Sequence, residues 1–342
     1  MILELLDRIE HEWRDSLLAQ GIQIRPPLYA IKIGDPGSKS RKITMMIFNN
    51  HEGRPSLILK LAQTNEYGAF FSNEYKMLEY LRKNRNLKDF IPAPLGKYQI
   101  GNDLVILESV LPGVPLYALL QARKRRHQAA VRRDFNQALA FLSKLQMSTA
   151  AGCITLPFVT IVSEQLENLK VHYGPSAYSE SFREKLLEIA VKYQSLEIVQ
   201  CGRHGDYWPG NILVSPSGFN VIDWDAFTEP ETPFFDAFFF LVTYVLNFPW
   251  FGWKECSQET AFSLGFIERG WFSRTASNAL LEFFRPHNRQ PDFIYLMFSL
   301  FLIEMALPLA VKNDPRQPPQ YQQWYGYFVL FSQAHSNFLL DR

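Results

Sequence analysis

The chain has 342 residues, a net charge of +1 and 47% hydrophobic residues, with 28 Phe. A near-neutral charge argues against a nucleic-acid partner, and the length suits two lobes with a sizeable aromatic core better than one small domain. Cys153, Cys201 and Cys256 are odd in number and far apart, as expected of free thiols in a reducing cytoplasm rather than a disulfide framework.

Leu3, Leu6, Ile9, Trp13 and Leu17 recur at helical spacing, which predicts one amphipathic helix over residues 1–20, ended by Gly21 and packed on the smaller lobe. Glu4, Asp7, Glu10, Glu12 and Asp15 make this stretch too acidic for a secretory leader. Residues 28–33, 43–48 and 56–61 read as short strands. The first connection, 34–42, has glycines and basic side chains that suit a loop over phosphates, or an ordinary hairpin loop. Lys60 lies among leucines in the third strand and needs a counter-charge. In the helix predicted over 69–82, Phe71, Glu74, Tyr75, Leu78 and Leu81 share a face, so Glu74 points to the sheet and is the expected partner. Strands at 97–100 and 104–107, joined by Gly101-Asn102-Asp103, complete a five-stranded sheet. Glu108-Ser109-Val110-Leu111-Pro112-Gly113 then reads as a hinge.

From Leu116 the pattern is mainly helical. The basic run in 121–133 (Arg123, Lys124, Arg125, Arg126, Arg132, Arg133) reads as a solvated helix face, with docking of an anionic substrate or lipid surface as the sharper alternative. A helix is expected over 135–147, followed by a long, mostly helical insertion up to His204 that includes 164–169 and 181–193. Residues 237–248 and 293–311 are greasy. The first is too short to span a bilayer and the second contains Glu304 and Pro308, so both are expected to be buried helices.

The most informative stretch is His204-Gly205-Asp206, then Asn211, then two apolar runs (212–214 and 219–222) joined by Ser215-Pro216-Ser217-Gly218 and followed by Asp223-Trp224-Asp225. The predicted hairpin brings Asn211 near Asp223, with Asp206 in the loop before them. A hard cation such as magnesium takes oxygen ligands, which Asn211 and Asp223 supply. Asp206 is then placed to accept a hydroxyl proton. A hairpin with ordinary polar turn residues explains any one of these groups, but not their joint occurrence. Cys201 and His204 form a lone Cys-x-x-His pair, which is insufficient for a zinc site.

These residues resemble the aminoglycoside phosphotransferase and choline kinase group, which has a protein-kinase-like fold. The match lies at His204, Gly205, Asp206, Asn211, Ile222, Asp223 and Trp224, and the resemblance runs from about Tyr29 onward. It implies an α+β, two-lobed fold. Residues 1–108 would form a small nucleotide-binding lobe with an antiparallel five-stranded sheet plus a helix, and 109–342 a large, mainly α-helical catalytic and substrate-binding lobe. It further implies ATP and Mg2+ as cofactors, Asp206 as catalytic base, and Asn211 and Asp223 as magnesium ligands. Lys60, placed by Glu74, would hold the α- and β-phosphates, and the backbones of Glu108 and Val110 would meet adenine. Asp236 would be the buried structural Asp of the following helix. The long insertion and the absence of an Ala-Pro-Glu motif favour a small-molecule kinase over a protein kinase.

The expected acceptor is a hydroxyl of a sugar, an amino alcohol or an aminoglycoside-like molecule; a lipid-linked acceptor would bring the protein to a membrane. Asp225, Glu229 and Glu231 form an acidic cluster beside the hairpin. Trp208 and Trp250-Phe251-Gly252-Trp253 suit core packing, or stacking on an acceptor. The rival class is a non-catalytic kinase-like module that binds a nucleotide or a partner. Its mark would be loss of a ligand or the base, yet Lys60, Glu74, Asp206, Asn211 and Asp223 are all present.

Overall fold

The structure is a computed structural model that describes residues 2–33, 42–50, 52–122, 128–216, 218–250, 256–287, 290–307 and 320–334. Residues 34–41 of the connection read as a phosphate-covering or ordinary hairpin loop, the basic residues 123–126, the aromatic positions 251–253 and Pro308 lie outside the described residues. The chain divides into two compact units. One comprises Met1–Val114, His204–Asp206 and Asn211–Phe227; the other comprises Pro115–Arg203, Tyr207–Gly210 and Thr228–Arg342.

The first unit begins with helices α1 (Ile2–His11) and α2 (Arg14–Ala19), followed by strands β1 (Tyr29–Ile33), β2 (Lys42–Phe48) and β3 (Pro55–Ala62). Helix α3 (Asn65–Leu81) and strands β4 (Pro94–Ile100) and β5 (Asp103–Ser109) come next. The strands form the expected five-stranded sheet in the order β1-β2-β3-β5-β4, with every neighbouring pair antiparallel. Period-two alternation sorts its side chains onto two faces. On one face Met45, Ile47, Leu57, Leu59, Leu61, Val105 and Leu107 pack with Leu5, Leu6, Ile9, Trp13 and Leu17 of the N-terminal segment. On the other, Ala62, Leu104 and Ile106 pack with Phe71 of α3. Lys60 and Glu108 have the same parity as Ala62 and Ile106, so both belong to the α3 face.

The expected single helix over 1–20 is broken. The Trp13 N–H reaches back to the Arg8 carbonyl at 2.8 Å, and the Trp13 indole stacks on Tyr98 with ring centroids 3.9 Å apart. Turning a large aromatic onto the sheet is worth more than one continuous run of helix. Leu3, part of the predicted stripe, is 82% exposed, and Leu5 is buried instead.

Strand β6 (Val114–Pro115) straddles the division between the units. The second unit contains α4 (Leu116–Ala122), α5 (Gln128–Ser148), β7 (Gly152–Thr155), α6 (Phe158–Tyr173), α7 (Glu180–Lys192) and β8 (Glu197–Arg203). The insertion before His204 is therefore not purely helical: β7 and β8 pair antiparallel. The local cue is slight, a β-branched Ile198-Val199 inside a seven-residue segment, and pairing partners rather than propensity make it a strand. The hairpin strands β9 (Ile212–Ser215) and β10 (Gly218–Val221) return to the first unit. Strand β11 (Thr228–Glu231), which pairs with β8, then leads into α8 (Phe235–Leu246), α9 (Gln258–Phe266), α10 (Trp271–Phe284), α11 (Pro291–Ala306) and α12 (Gln320–Gln333).

Aromatic rings dominate this second core. Phe135 meets Phe240, Tyr244 and Phe272 edge-on. Trp250 is buried against Phe248 and Phe272, and Trp208 is half-buried beside Tyr117. Asp236 is buried in the first turn of α8. Glu304 at the end of α11 meets Arg203 at 3.3 Å. Among the described residues no helix is long and apolar enough to cross a membrane.

Candidate active site

Three elements of the first unit converge on one ammonium group. Lys60 Nζ lies 2.5 Å from Glu74 Oε1 on α3, 3.3 Å from Glu108 Oε1 on β5 and 3.3 Å from Asp223 Oδ1 just after β10. Parity places Lys60 and Glu108 on the same face of adjacent strands, and Glu74 reaches them from the inward face of the helix. The Lys60 side chain is 6% exposed and that of Glu74 is fully buried. Burial alone would lower the Lys60 pKa, but Glu108, Glu74 and Asp223 raise it well above the ordinary lysine range. Burial, then the neighbouring Glu108 charge, pushes Glu74 up to about 8 against the pull of Lys60. Burial likewise raises Glu108, again opposed by Lys60. Glu74 Oε2 is buried without a hydrogen-bond partner, and Glu108 Oε1 has the Lys60 ammonium beside it.

Strands β9 and β10 pair with Ile212 opposite Val221, which brings the residues flanking the hairpin together: the Ile222 N–H donates to the Asn211 carbonyl at 3.0 Å. Asp223 follows with φ +66, the one described non-glycine residue with positive φ. Its side chain is 41% exposed. Crowding by protein atoms disfavours its charge, yet Lys60 and then Lys42 hold its pKa below the ordinary aspartate value. The next residue is tied to α3, because the Trp224 backbone N–H donates to Glu74 Oε1 at 2.9 Å.

Asp206 and Asn211 are joined directly. Asn211 Nδ2 donates to Asp206 Oδ2 at 2.8 Å and to the Asp206 carbonyl at 2.9 Å. His204, fully buried, braces the loop. Its Nδ1 accepts from the Asp206 N–H at 3.3 Å, and its Nε2 lies 3.1 Å from the Ile222 carbonyl, so the Nε2–H tautomer satisfies both partners. Between them Gly205 has φ +85, and a Cβ there would lie 2.4 Å from the Ala226 carbonyl oxygen.

Two features were not evident in the sequence. Glu108, expected to contribute through its backbone, turns its carboxylate toward Lys60 from within β5, opposite Ile58 and Pro94. Val110 is half-buried just beyond that strand. Asp225 belongs to an ion pair with Lys42, the first residue of β2, and so is not part of an open acidic cluster. Register decides the face: Lys42 sits opposite Ala62 and Thr44 opposite Lys60, so Lys42 shares the α3 face. Among the described residues no group of three or more His, Cys, Asp and Glu is arranged to hold a metal; the candidate donor set is one carboxylate and the Asn211 carboxamide.

The antiparallel five-stranded sheet, the helix packed on it and the hairpin that follows carry these charged groups, and a family model gives the class: a phosphotransferase. A model of APH, the phosphotransferase enzyme family, matches residues 46–273, and the chain belongs to that family. Among solved structures, the chain is similar to the aminoglycoside-3'-phosphotransferase of type VIII, at 16% identity and TM-score 0.44 over 85% of this chain and 99% of that one. It is also similar to the macrolide 2'-phosphotransferase MphH from Brachybacterium faecium, at 13% identity and TM-score 0.47 over 87% and 91% of the two chains. A search of the curated proteins gave no match.

Proposed function

We propose that this phosphotransferase uses ATP and magnesium to phosphorylate a hydroxyl of a small molecule: a sugar, an amino alcohol or an aminoglycoside-like acceptor. Residues 1–108 would bind the nucleotide, and residues 109–342 would carry the base, the metal ligands and the acceptor site. Cysteines without a disulfide among the described residues suit a cytoplasmic setting.

The observation that carries the reading is the Lys60 ammonium held between Glu74 and Asp223, in the same unit as the joined pair Asp206 and Asn211. The donor chemistry fits a hard divalent cation. Asn211 gives its Nδ2 to Asp206, which leaves the amide oxygen for a metal, and Asp223 adds a carboxylate. Charge points the same way: one ammonium faces three carboxylates, and Glu74 Oε2 is buried without a hydrogen-bond donor. Magnesium, held by Asn211 and Asp223, would offset phosphate charge during transfer.

Lys60 would donate to the α- and β-phosphates, with Glu74 fixing its position. Asp206, oriented by Asn211 and by the His204 brace, would accept or orient the acceptor's hydroxyl proton. The Glu108 and Val110 backbones would meet the adenine edge. The test is transfer of label from γ-labelled ATP to a panel of sugars, amino alcohols, nucleosides and aminoglycosides. Magnesium-dependent labelling that Asp206→Ala abolishes is expected. Magnesium-dependent ATP binding without transfer to any acceptor would overturn the catalytic reading in favour of a nucleotide-binding module.

A further inference from the structure

We propose that Lys42 and Asp225 are a positioning pair that fixes the backbone at Asp223; the inference rests on the reading of Asp223 as a magnesium ligand. The starting point is strain. A non-glycine residue in the left-handed region carries a backbone cost, smaller for Asp and Asn than for other residues, and persists where its surroundings over-determine it. Asp223 is such a residue, at φ +66.

Its neighbours are anchored one by one. Before it, Ile222 is held by Asn211 through its N–H and by His204 through its carbonyl. After it, the Trp224 N–H is held by Glu74, and the Trp224 indole N–H donates to the Val221 carbonyl at 3.1 Å. Asp225 is the next residue along, and Lys42 holds it from β2. The turn that presents Asp223 is thus pinned to Asn211, His204, α3 and β2, and the Lys42 pair is its outermost anchor.

The Lys42–Asp225 pair differs from a surface ion pair, which contributes little. The Asp225 side chain is 12% exposed and that of Lys42 one-third exposed. Lys42 Nζ also lies 5.5 Å from the Phe70 ring centroid and 5.6 Å from that of Phe71. Two rings and a carboxylate therefore restrain one ammonium group, and the carboxylate it holds lies two residues from the candidate ligand. A group that orients a ligand without touching the metal should alter metal affinity more than fold stability.

The experiment measures binding of a non-hydrolysable ATP analogue to the full chain as magnesium is titrated, alongside thermal melting. Lys42→Met and Asp225→Asn should each raise the half-saturating magnesium concentration about 10-fold, the scale seen for residues that orient metal ligands, with melting close to wild type. The exchanged pair Lys42→Asp with Asp225→Lys should recover most of that loss. Asp225→Asn keeps the side chain's shape and carries the test if Lys42→Met folds poorly. Wild-type magnesium dependence in the single variants, or an exchanged pair as defective as either, would overturn the proposal. Asp223→Asn separates the two readings. If it keeps wild-type magnesium dependence, the metal-ligand reading itself fails; if it loses it while Lys42→Met and Asp225→Asn do not, the positioning pair alone fails.

Discussion

The backbone N–H of Trp224 donates to Glu74 Oε1 at 2.9 Å, the same oxygen that Lys60 Nζ approaches at 2.5 Å. Helix α3 therefore fixes both a lysine on β3 and the residue following Asp223 through a single carboxylate oxygen. Sequence spacing aims Glu74 at the sheet; its second task is visible only in three dimensions.

Glu74→Ala would leave the Trp224 N–H buried without a partner and remove the shortest of Lys60's ion pairs. Breaking a buried pair by removing one member costs about 3 kcal/mol, and equilibrium urea unfolding should show a loss of that size. Glu74→Gln keeps an oxygen for both donors and should recover most of that stability. Its magnesium-dependent activity should still fall, because the ammonium loses a counter-charge. Equal stability of Glu74→Ala and wild type would contradict the shared-oxygen account.

Asp206→Ala should separate activity from folding. Its carboxylate is half-buried and bonds to Asn211, but the Asp206 carbonyl holds the same amide at 2.9 Å and its N–H still meets His204, so the loop stays tied. Turnover should fall by about two to four orders of magnitude, the range for a positioned base, with little change in melting temperature. A wild-type rate on a confirmed acceptor would remove Asp206 from the role of base.

Cys153 and Cys201 should react in order of exposure. Cys153 is exposed, whereas Cys201 is buried in β8, where burial, then the charges of Asp236 and Glu231, pushes its thiol up to about 12. Iodoacetamide at pH 8 should label Cys153 in the native protein and leave Cys201 intact until unfolding. The linkage has a definite sign. Above about pH 8.5 the unfolded chain loses the thiol proton while the folded chain keeps it, so this group's contribution to stability declines as pH rises from there toward 12. Rapid native labelling of Cys201, read by peptide mass, would contradict that burial.

The five-stranded sheet was legible because its short apolar runs are bounded by turns rich in breakers. Lys60 and Glu74 stood out for a related reason: each is a charge at a position whose neighbours are apolar, and a buried charge needs a partner. Asp206, Asn211 and Asp223 were legible from spacing across a short hairpin. The Lys42–Asp225 pair and the Glu108 carboxylate were not, since both depend on which strands adjoin and in what register, and no local pattern encodes that. The break at Trp13 was hidden because the helical period continues through it, and stacking on Tyr98, 85 residues away in sequence, decides the geometry. Strands β7 and β8 were missed in the same way, being too short to outweigh the helical segments around them.

Gly205 offers a sharp test of the loop that carries Asp206. At φ +85 any side chain is strained, and a Cβ would also lie 2.4 Å from the Ala226 carbonyl oxygen, a backbone atom that cannot swing aside. Gly101, in the turn between β4 and β5, has φ +57 and open space within 4 Å of where a Cβ would stand, so it separates the two costs. Gly101→Ala should cost about 1 kcal/mol from backbone conformation alone, and Gly101→Asn less, because Asn tolerates this region. At Gly205 the choice of Asn should give no relief, since the close approach and not φ sets the penalty. Gly205→Ala and Gly205→Asn should both lose stability beyond the Gly101 variants and lose activity through displacement of Asp206. Ala226→Gly should not restore Gly205→Ala, because the obstructing atom is the carbonyl oxygen and it remains. Recovery of activity in that double variant would show that the Ala226 methyl, 3.0 Å from the Cβ, is the true obstacle.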